Sequence, residues 1–214
     1  MKSRIVIAGA GGFGRGVYDW LQDTLYARGT AQATDVVFID DGTPLVQPQA
    51  RVISTIGAYQ PLPQDEVICA IAKPEFRREI VESLQRKGAR FHSFVDHRAV
   101  IGSRVLIGEG SVICPGTVLD ADAKIGDHVH VNSNCFVGHD SVLSDYTTLS
   151  PAVNVMGEVT VGVGSFLGGS AVVLPRTSVG EWSVLGAGAV LLHGSEPKTV
   201  KAGNPARIIK KRAT

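Results

Sequence analysis

The chain has 214 residues, 44% of them apolar and 19% charged, with 25 glycines and only 6% aromatics, enough for one large domain or two small ones. Its formal net charge of +1 leaves no basic field to draw nucleic acid. Cys69, Cys114 and Cys135 lack CxxC or zinc spacing, the apolar run at the start is too short for a signal segment, and no run approaches a membrane span, so the expectation is a soluble cytoplasmic protein with no membrane partner.

Residues 1–95 open as strand, glycine turn and helix in "RIVIAGAGGFGRGVYDWLQDTL". A second strand is predicted at "DVVFIDD" and a third at "EVICAIA". In "PEFRREIVESLQRKG", Phe76, Ile80, Val81 and Leu84 recur at helical spacing before a stop at Gly88. Gly9, Gly11 and Gly14 spell G-x-G-x-x-G between the first strand and helix, where backbone amides and a helix N-terminus hold phosphate. Asp40 ends the second strand, where an acid meets a ribose; the plain alternative is a tight turn with a solvated Asp40. The rhythm changes by about residue 99, before a second βαβ half. The motif therefore reads as one nucleotide half-site and not a whole NAD site, and no residues for hydride transfer stand out.

From Ala99 to Gly194 the chain divides without insertion into sixteen hexads, from "AVIGSR" and "VLIGEG" to "AVLLHG", each with Ile, Val or Leu third. Such a repeat is a parallel β-helix. Each hexad is a short strand and a bend, its third residue points into the shaft, and Gly, Asp, Asn and Ser crowd positions four to six for backbone freedom. Three hexads, 18 residues, make one triangular coil, and coils spaced by about 4.8 Å give a shaft roughly five coils tall. The hand of the coil and the number of subunits do not follow from the pattern.

The period places Gly157 one coil beyond His139 and Ala121 one coil before it. His139 is thus flanked by small residues along which a flat substrate can lie, with a backbone N–H near Gly157 for a thioester oxygen. It also stacks Thr148 on His130. Histidine suits a general base, and Asp140 beside it can fix the tautomer; the plain alternative is a pair of polar residues at a solvated corner. His128, His130 and His139 occupy sixth, second and fifth positions and so point differently, which argues against a shared metal. After Gly194, "GSEPKTVKAGNPARIIKKRAT" leaves the repeat with a run of Lys and Arg.

A small βαβ domain joined to a hexapeptide shaft, with "GAGGFG", "FIDD", "AIA", "VGHD" and "GNPARI", resembles the bacterial hexapeptide-repeat sugar acyltransferases. That group contains the sialic acid O-acetyltransferase and the N-acetyltransferases of nucleotide-linked 4-amino sugars. The resemblance implies a Rossmann-like domain (1–95) that binds the nucleotide-sugar, a left-handed β-helix acetyltransferase domain (96–194) and a C-terminal loop and tail (195–214). It implies a homotrimer with active sites at subunit interfaces, acetyl-CoA as donor and no metal. His139 takes the place of the family's base and Asp140 that of its carboxylate partner. Gly11, Gly12, Phe13, Asp40, Asp41, Ala70, Ile71, Ala72, Lys73, Asn132 and Thr148 fall at acceptor positions. Gly157, Gly169, Ala187, Lys201, Gly203 and Arg207 fall along the acetyl-CoA path.

The chain departs from the amino-sugar N-acetyltransferases at Phe13 and Thr148, where that group tends to carry His, so N- and O-acetylation both stay open. Outside that class stand a zinc-dependent hydratase like the γ-type carbonic anhydrases and a non-catalytic nucleotide-sugar-binding scaffold on the same shaft.

Overall fold

The computed structural model describes residues 3–31, 34–42 and 50–212. It forms two compact units, Met1–His97 and Arg98–Thr214.

The front unit runs β1 (Ser3–Ala8), α1 (Gly12–Ala27), β2 (Thr34–Ile39), β3 (Val52–Ser54), β4 (Asp65–Cys69) and α2 (Pro74–Arg86). The strands form one parallel sheet in the order β3-β2-β1-β4. Val6, Ile7, Val37, Phe38, Val67 and Ile68 are fully buried, as continuous apolar runs must be in a parallel sheet covered on both faces. Three short residues make β3, which the sequence reading passes over. Asp65 anchors the chain that enters β4: its carboxylate accepts two bonds from Arg4 (2.8 and 2.7 Å), one from the Tyr59 hydroxyl (2.6 Å) and one from the Leu62 N–H (2.9 Å).

The predicted face of α2 needs correction. Val81 and Leu84 are buried, but Phe76 is 52% exposed, and the fully buried residue in its stead is Arg77. The Arg77 guanidinium donates to the carbonyls of Ile71 (2.8 Å) and Ala72 (3.2 Å). These carbonyls in the loop after β4 need a donor, and Arg77 takes the inward place while the aromatic ring stays outside.

In the second unit the hexads form a β-solenoid. Their second and third positions are the strands, and residues pair in parallel at a spacing of 18, as in Lys124↔Val142, His130↔Thr148 and Phe136↔Asn154. Third positions are buried from Ile113 to Leu191, while Ile101 is 40% exposed where the stack begins. First positions are buried as well from Ser111 to Ala189. Their hydroxyls are satisfied internally: Ser111, Thr117, Ser141 and Ser165 donate to the carbonyls of Gly126, Asn132, Met156 and Gly180, as buried polar groups require. The backbone freedom expected at positions four to six is concentrated on the sixth, which has φ between 52° and 70° in every hexad from Arg104 to Gly188.

After Gly194 the segment expected as loop and tail makes two strands. Thr199–Ala202 continues one solenoid face by pairing with Val184–Leu185, and Arg207–Lys211 folds back antiparallel upon it. Among the described residues no helix is long and apolar enough to cross a membrane.

Candidate active site

His139 and Asp140 occupy the fifth and sixth positions of one hexad, at the corner between the strands Phe136–Val137 and Val142–Leu143. The sixth-position backbone, φ 57° at Asp140, turns the carboxylate back toward the ring. His139 Nδ1 lies 2.9 Å from Asp140 Oδ2. A carboxylate only accepts, so Nδ1 carries the proton and Nε2 holds the free lone pair. Nε2 has no hydrogen-bond partner among the described residues. The Asp140 bond, above all, raises the His139 pKa over its ordinary 6.5, with Asp120 and Glu158 adding to it.

The ring lies over Gly157, where a Cβ would stand 2.5 Å from Nε2. This corrects the expected flat bed beside the histidine: the imidazole itself fills the space that Gly157 leaves. The Gly157 N–H makes no hydrogen bond among the described residues, and Gly138, whose Cβ would come within 2.6 Å of that nitrogen, has no side chain to cover it. An imidazole nitrogen and a backbone N–H, neither with a hydrogen-bond partner among the described residues, thus share one corner, the kinds of group that acyl transfer from a thioester can use.

The sequence reading missed the charges around this corner. Arg104, Asp122, Asp140, Glu158 and Arg176 follow one another every 18 residues in the sixth-position column. Arg104 grips Asp122 with two 2.6 Å bonds, and Arg176 holds Glu158 at 3.0 Å. The coil period applied to the sixth positions would have found them.

In the front unit the predicted nucleotide residues gather at the carboxyl ends of the strands. Sheet order reverses between β1 and β4, and ligands of open α/β sheets bind at such a switch point. Gly9, at φ 105°, is pressed against the loop after β4: a Cβ there would stand 2.8 Å from Ile71 Cδ1 and 3.2 Å from the Ala70 carbonyl. Gly14 packs so closely that its Cβ would overlap the Gly9 carbonyl oxygen. Gly11 and Gly12 face open space, and α1 begins with no side-chain cap and no acid in its first turn. Its leading N–H groups are therefore available to an anion. Asp40 is not simply solvated: Oδ2 accepts the Ala10 N–H (2.6 Å) and Oδ1 the Gly42 N–H (2.7 Å), and Asp41 accepts from Gly57 (3.2 Å). Lys73 stands at the N-cap position of α2 without a side-chain capping bond, its ammonium 5.4 Å from the centre of the Phe76 ring. Phe13 packs edge-on against Trp20.

Other expected residues lie elsewhere. The Asn132 amide donates to the Leu149 carbonyl (2.7 Å), a backbone role. Thr148 pairs with His130, both buried on a solenoid face and not at the His139 corner. Gly169 and Ala187 stack on a different corner from Gly157. Lys201 and Arg207 line one shallow cavity of about 380 Å³ with His193, while Gly203 turns the chain at φ 94°. His128 stacks on Tyr146, and among the described residues no three His, Cys, Asp or Glu side chains converge as metal ligands.

A family model described as the PglD N-terminal domain matches residues 4–84. The acetyltransferase domain of PglB from Neisseria gonorrhoeae, solved with acetyl coenzyme A, is 29% identical, with a TM-score of 0.87 over 98% of this chain and 100% of that one. PerB from Caulobacter crescentus, solved with CoA and GDP-perosamine, is 26% identical, with a TM-score of 0.84 over 98% and 99%. The acyl-[acyl-carrier-protein]–UDP-N-acetylglucosamine O-acyltransferase of Burkholderia thailandensis is 33% identical over 110 residues, 51% of this chain and 42% of that protein. The chain spans about half the length of the curated relatives it matches. With a match to the PglD N-terminal domain ahead of a hexapeptide solenoid, and both parts aligned end to end with those structures, the chain is similar throughout to the PglD-type hexapeptide-repeat sugar N-acetyltransferases.

Proposed function

We propose that this chain transfers the acetyl group of acetyl-CoA to the amino group of a nucleotide-linked sugar, with His139 as general base. The observation that carries the reading is the likeness, over nearly the whole chain, to an enzyme solved with both CoA and GDP-perosamine. Nitrogen is favoured over oxygen because the relatives matched along their full length include N-acetyltransferases, whereas the O-acyltransferase is matched over 110 residues.

The two units divide the task. The open N-terminus of α1, with Gly11 and Gly12, takes the diphosphate, and Asp40, Asp41 and the Ala70–Lys73 loop surround the nucleoside. At the solenoid corner the acceptor nitrogen attacks the thioester carbonyl. His139 Nε2 takes the proton, Asp140 stabilises the imidazolium, and the Gly157 N–H holds the developing oxyanion. The acetyl-CoA path along Gly157, Gly169, Ala187, Lys201, Gly203 and Arg207 runs over two corners of one shaft. A homotrimer with sites between neighbouring shafts would bring such corners together.

The test is mass spectrometry of reactions holding the purified chain, acetyl-CoA and a panel of nucleotide sugars, with and without 4-amino groups. A gain of one acetyl group on an amino sugar, lost in His139→Ala, is the expected result. Acetylation that survives His139→Ala removes the base, and no acetylation of any sugar sinks the reading.

A further inference from the structure

The His139 corner holds four carboxylates, Asp120, Asp122, Asp140 and Glu158, against two guanidiniums and the ammonium of Lys124, which acts on Asp122. Both guanidiniums are committed, Arg104 to Asp122 and Arg176 to Glu158, and Asp140 faces His139 Nδ1. Asp120 differs from the others. Its Oδ1 accepts the Ala121 N–H at 2.8 Å, and no cation lies within ion-pair distance among the described residues. It is half-buried in a fourth-position column between Gly102 and Gly138, so no side chain from the coil on either side covers it. Independently of Asp120, His139 Nε2 and the Gly157 N–H, both without a hydrogen-bond partner among the described residues, are the groups at this corner that the proposed transfer uses.

We infer that Asp120 receives the acceptor's amino group as an ammonium ion and so makes this corner choose nitrogen over oxygen. The inference rests on the acetyl transfer proposed above and adds the residue that selects the acceptor. An ammonium makes a charge-assisted hydrogen bond to the carboxylate; a sugar hydroxyl brings no charge to neutralise it. The field that raises the His139 pKa attracts a cationic acceptor for the same reason.

The protons balance. The bound ammonium first gives one proton to solvent. The freed lone pair then forms the C–N bond as the C–S bond breaks, a second proton passes from nitrogen to His139 Nε2, and the imidazolium returns it to the leaving thiolate. The products are the N-acetyl sugar, CoA thiol and one proton.

Steady-state kinetics of the full chain with acetyl-CoA and UDP- and GDP-linked 4-amino sugars test this, comparing wild type with Asp120→Asn and Asp120→Ala. Asparagine keeps an oxygen for the Ala121 N–H and loses only the charge, so an unchanged thermal melt separates charge from fold. The expected result is a KM for the amino sugar raised roughly tenfold or more in both variants, with kcat much less changed and acetyl-CoA affinity intact. An unchanged KM in Asp120→Asn overturns the inference and makes Asp120 a turn residue, while acetyl transfer stands. A wild-type chain that acetylates only hydroxyls overturns the inference and the N-acetyl assignment. One that acetylates no sugar overturns the proposed function with it.

Discussion

The imidazole of His139 covers Gly157, its neighbour one coil along the solenoid, so closely that a Cβ at Gly157 would stand 2.5 Å from Nε2, 2.8 Å from Cε1 and 3.0 Å from Cδ2. Glycine is kept there by the ring and not by the backbone, for Gly157 is absent from the residues at positive φ. Gly157→Ala should therefore leave the solenoid folded but push the imidazole aside. Misplacing a base by about 1 Å costs on the order of 10²-fold in rate. Turnover should fall by about that factor with an unchanged circular dichroism melt; full activity in Gly157→Ala would show that the ring position is immaterial.

The pH profile gives a second check. The Asp140 hydrogen bond is the largest cause of the raised His139 pKa, and a base works only when unprotonated. The acid limb of kcat/KM should therefore lie above pH 6.5. Asp140→Asn weakens the stabilisation of the imidazolium, lowers that pKa and moves the limb to lower pH. A limb that stays in place or moves upward would mean that Asp140 does not set the ionisation of His139.

Much of this was legible because a hexad repeat converts sequence spacing into space. Once 18 residues make a coil, the stacking of His130 with Thr148 and of His139 with Gly157 follows by counting. The same counting does not say which way a side chain leans, so it gave Gly157 an open surface that the histidine fills. Nor does it show that the Asn132 amide, at a position the resemblance gives to the acceptor, also donates to the Leu149 carbonyl. In the front unit no repeat helps. Phe76 fits the apolar period of α2, yet the carbonyls of Ile71 and Ala72 draw in Arg77, a tertiary demand invisible to periodicity.

Asp65 should dominate the acid stability of the front unit. Burial works to raise its carboxyl pKa, but Arg4, the Tyr59 hydroxyl and the Leu62 N–H outweigh it and hold the carboxyl below its ordinary value. A depressed folded pKa adds stability that is complete above the unfolded value, about 3.9, and is lost as pH falls through the folded one. Asp65→Ala strands Arg4 and should cost about 3–5 kcal/mol. Denaturant melts of the variant should also lose the steepening of wild-type stability below about pH 4. Equal stability of the two chains at pH 7 would contradict the network's role.

The glycine turn separates folding from binding. Gly14→Ala drives a methyl into the Gly9 carbonyl oxygen, so the front unit should lose its cooperative melt. Gly12→Ala meets nothing within 4 Å, so it should fold normally while its methyl stands where a diphosphate would lie. Calorimetric titration with UDP and GDP should find nucleotide binding in the wild type weakened roughly tenfold or more in Gly12→Ala. Undiminished affinity there would move the phosphates away from the start of α1.

The sixth hexad position makes the solenoid's stability run against the usual rule for glycine. Ala152 holds φ 60°, a conformation that costs an L-residue roughly 1–2 kcal/mol and glycine nothing. Replacing alanine by glycine ordinarily costs about 0.5–1 kcal/mol in chain entropy, so Ala152→Gly should be net stabilising by about 0.5–1 kcal/mol. Ala189 is the control. It is fully buried at a first position without positive φ, so Ala189→Gly relieves nothing and should destabilise by about 1 kcal/mol or more, from entropy and the lost methyl together. Urea melts of the two variants should therefore move in opposite directions. If both are destabilised alike, the corner backbone stores no strain, and the Gly, Asp and Asn of the sixth positions are there for some other reason.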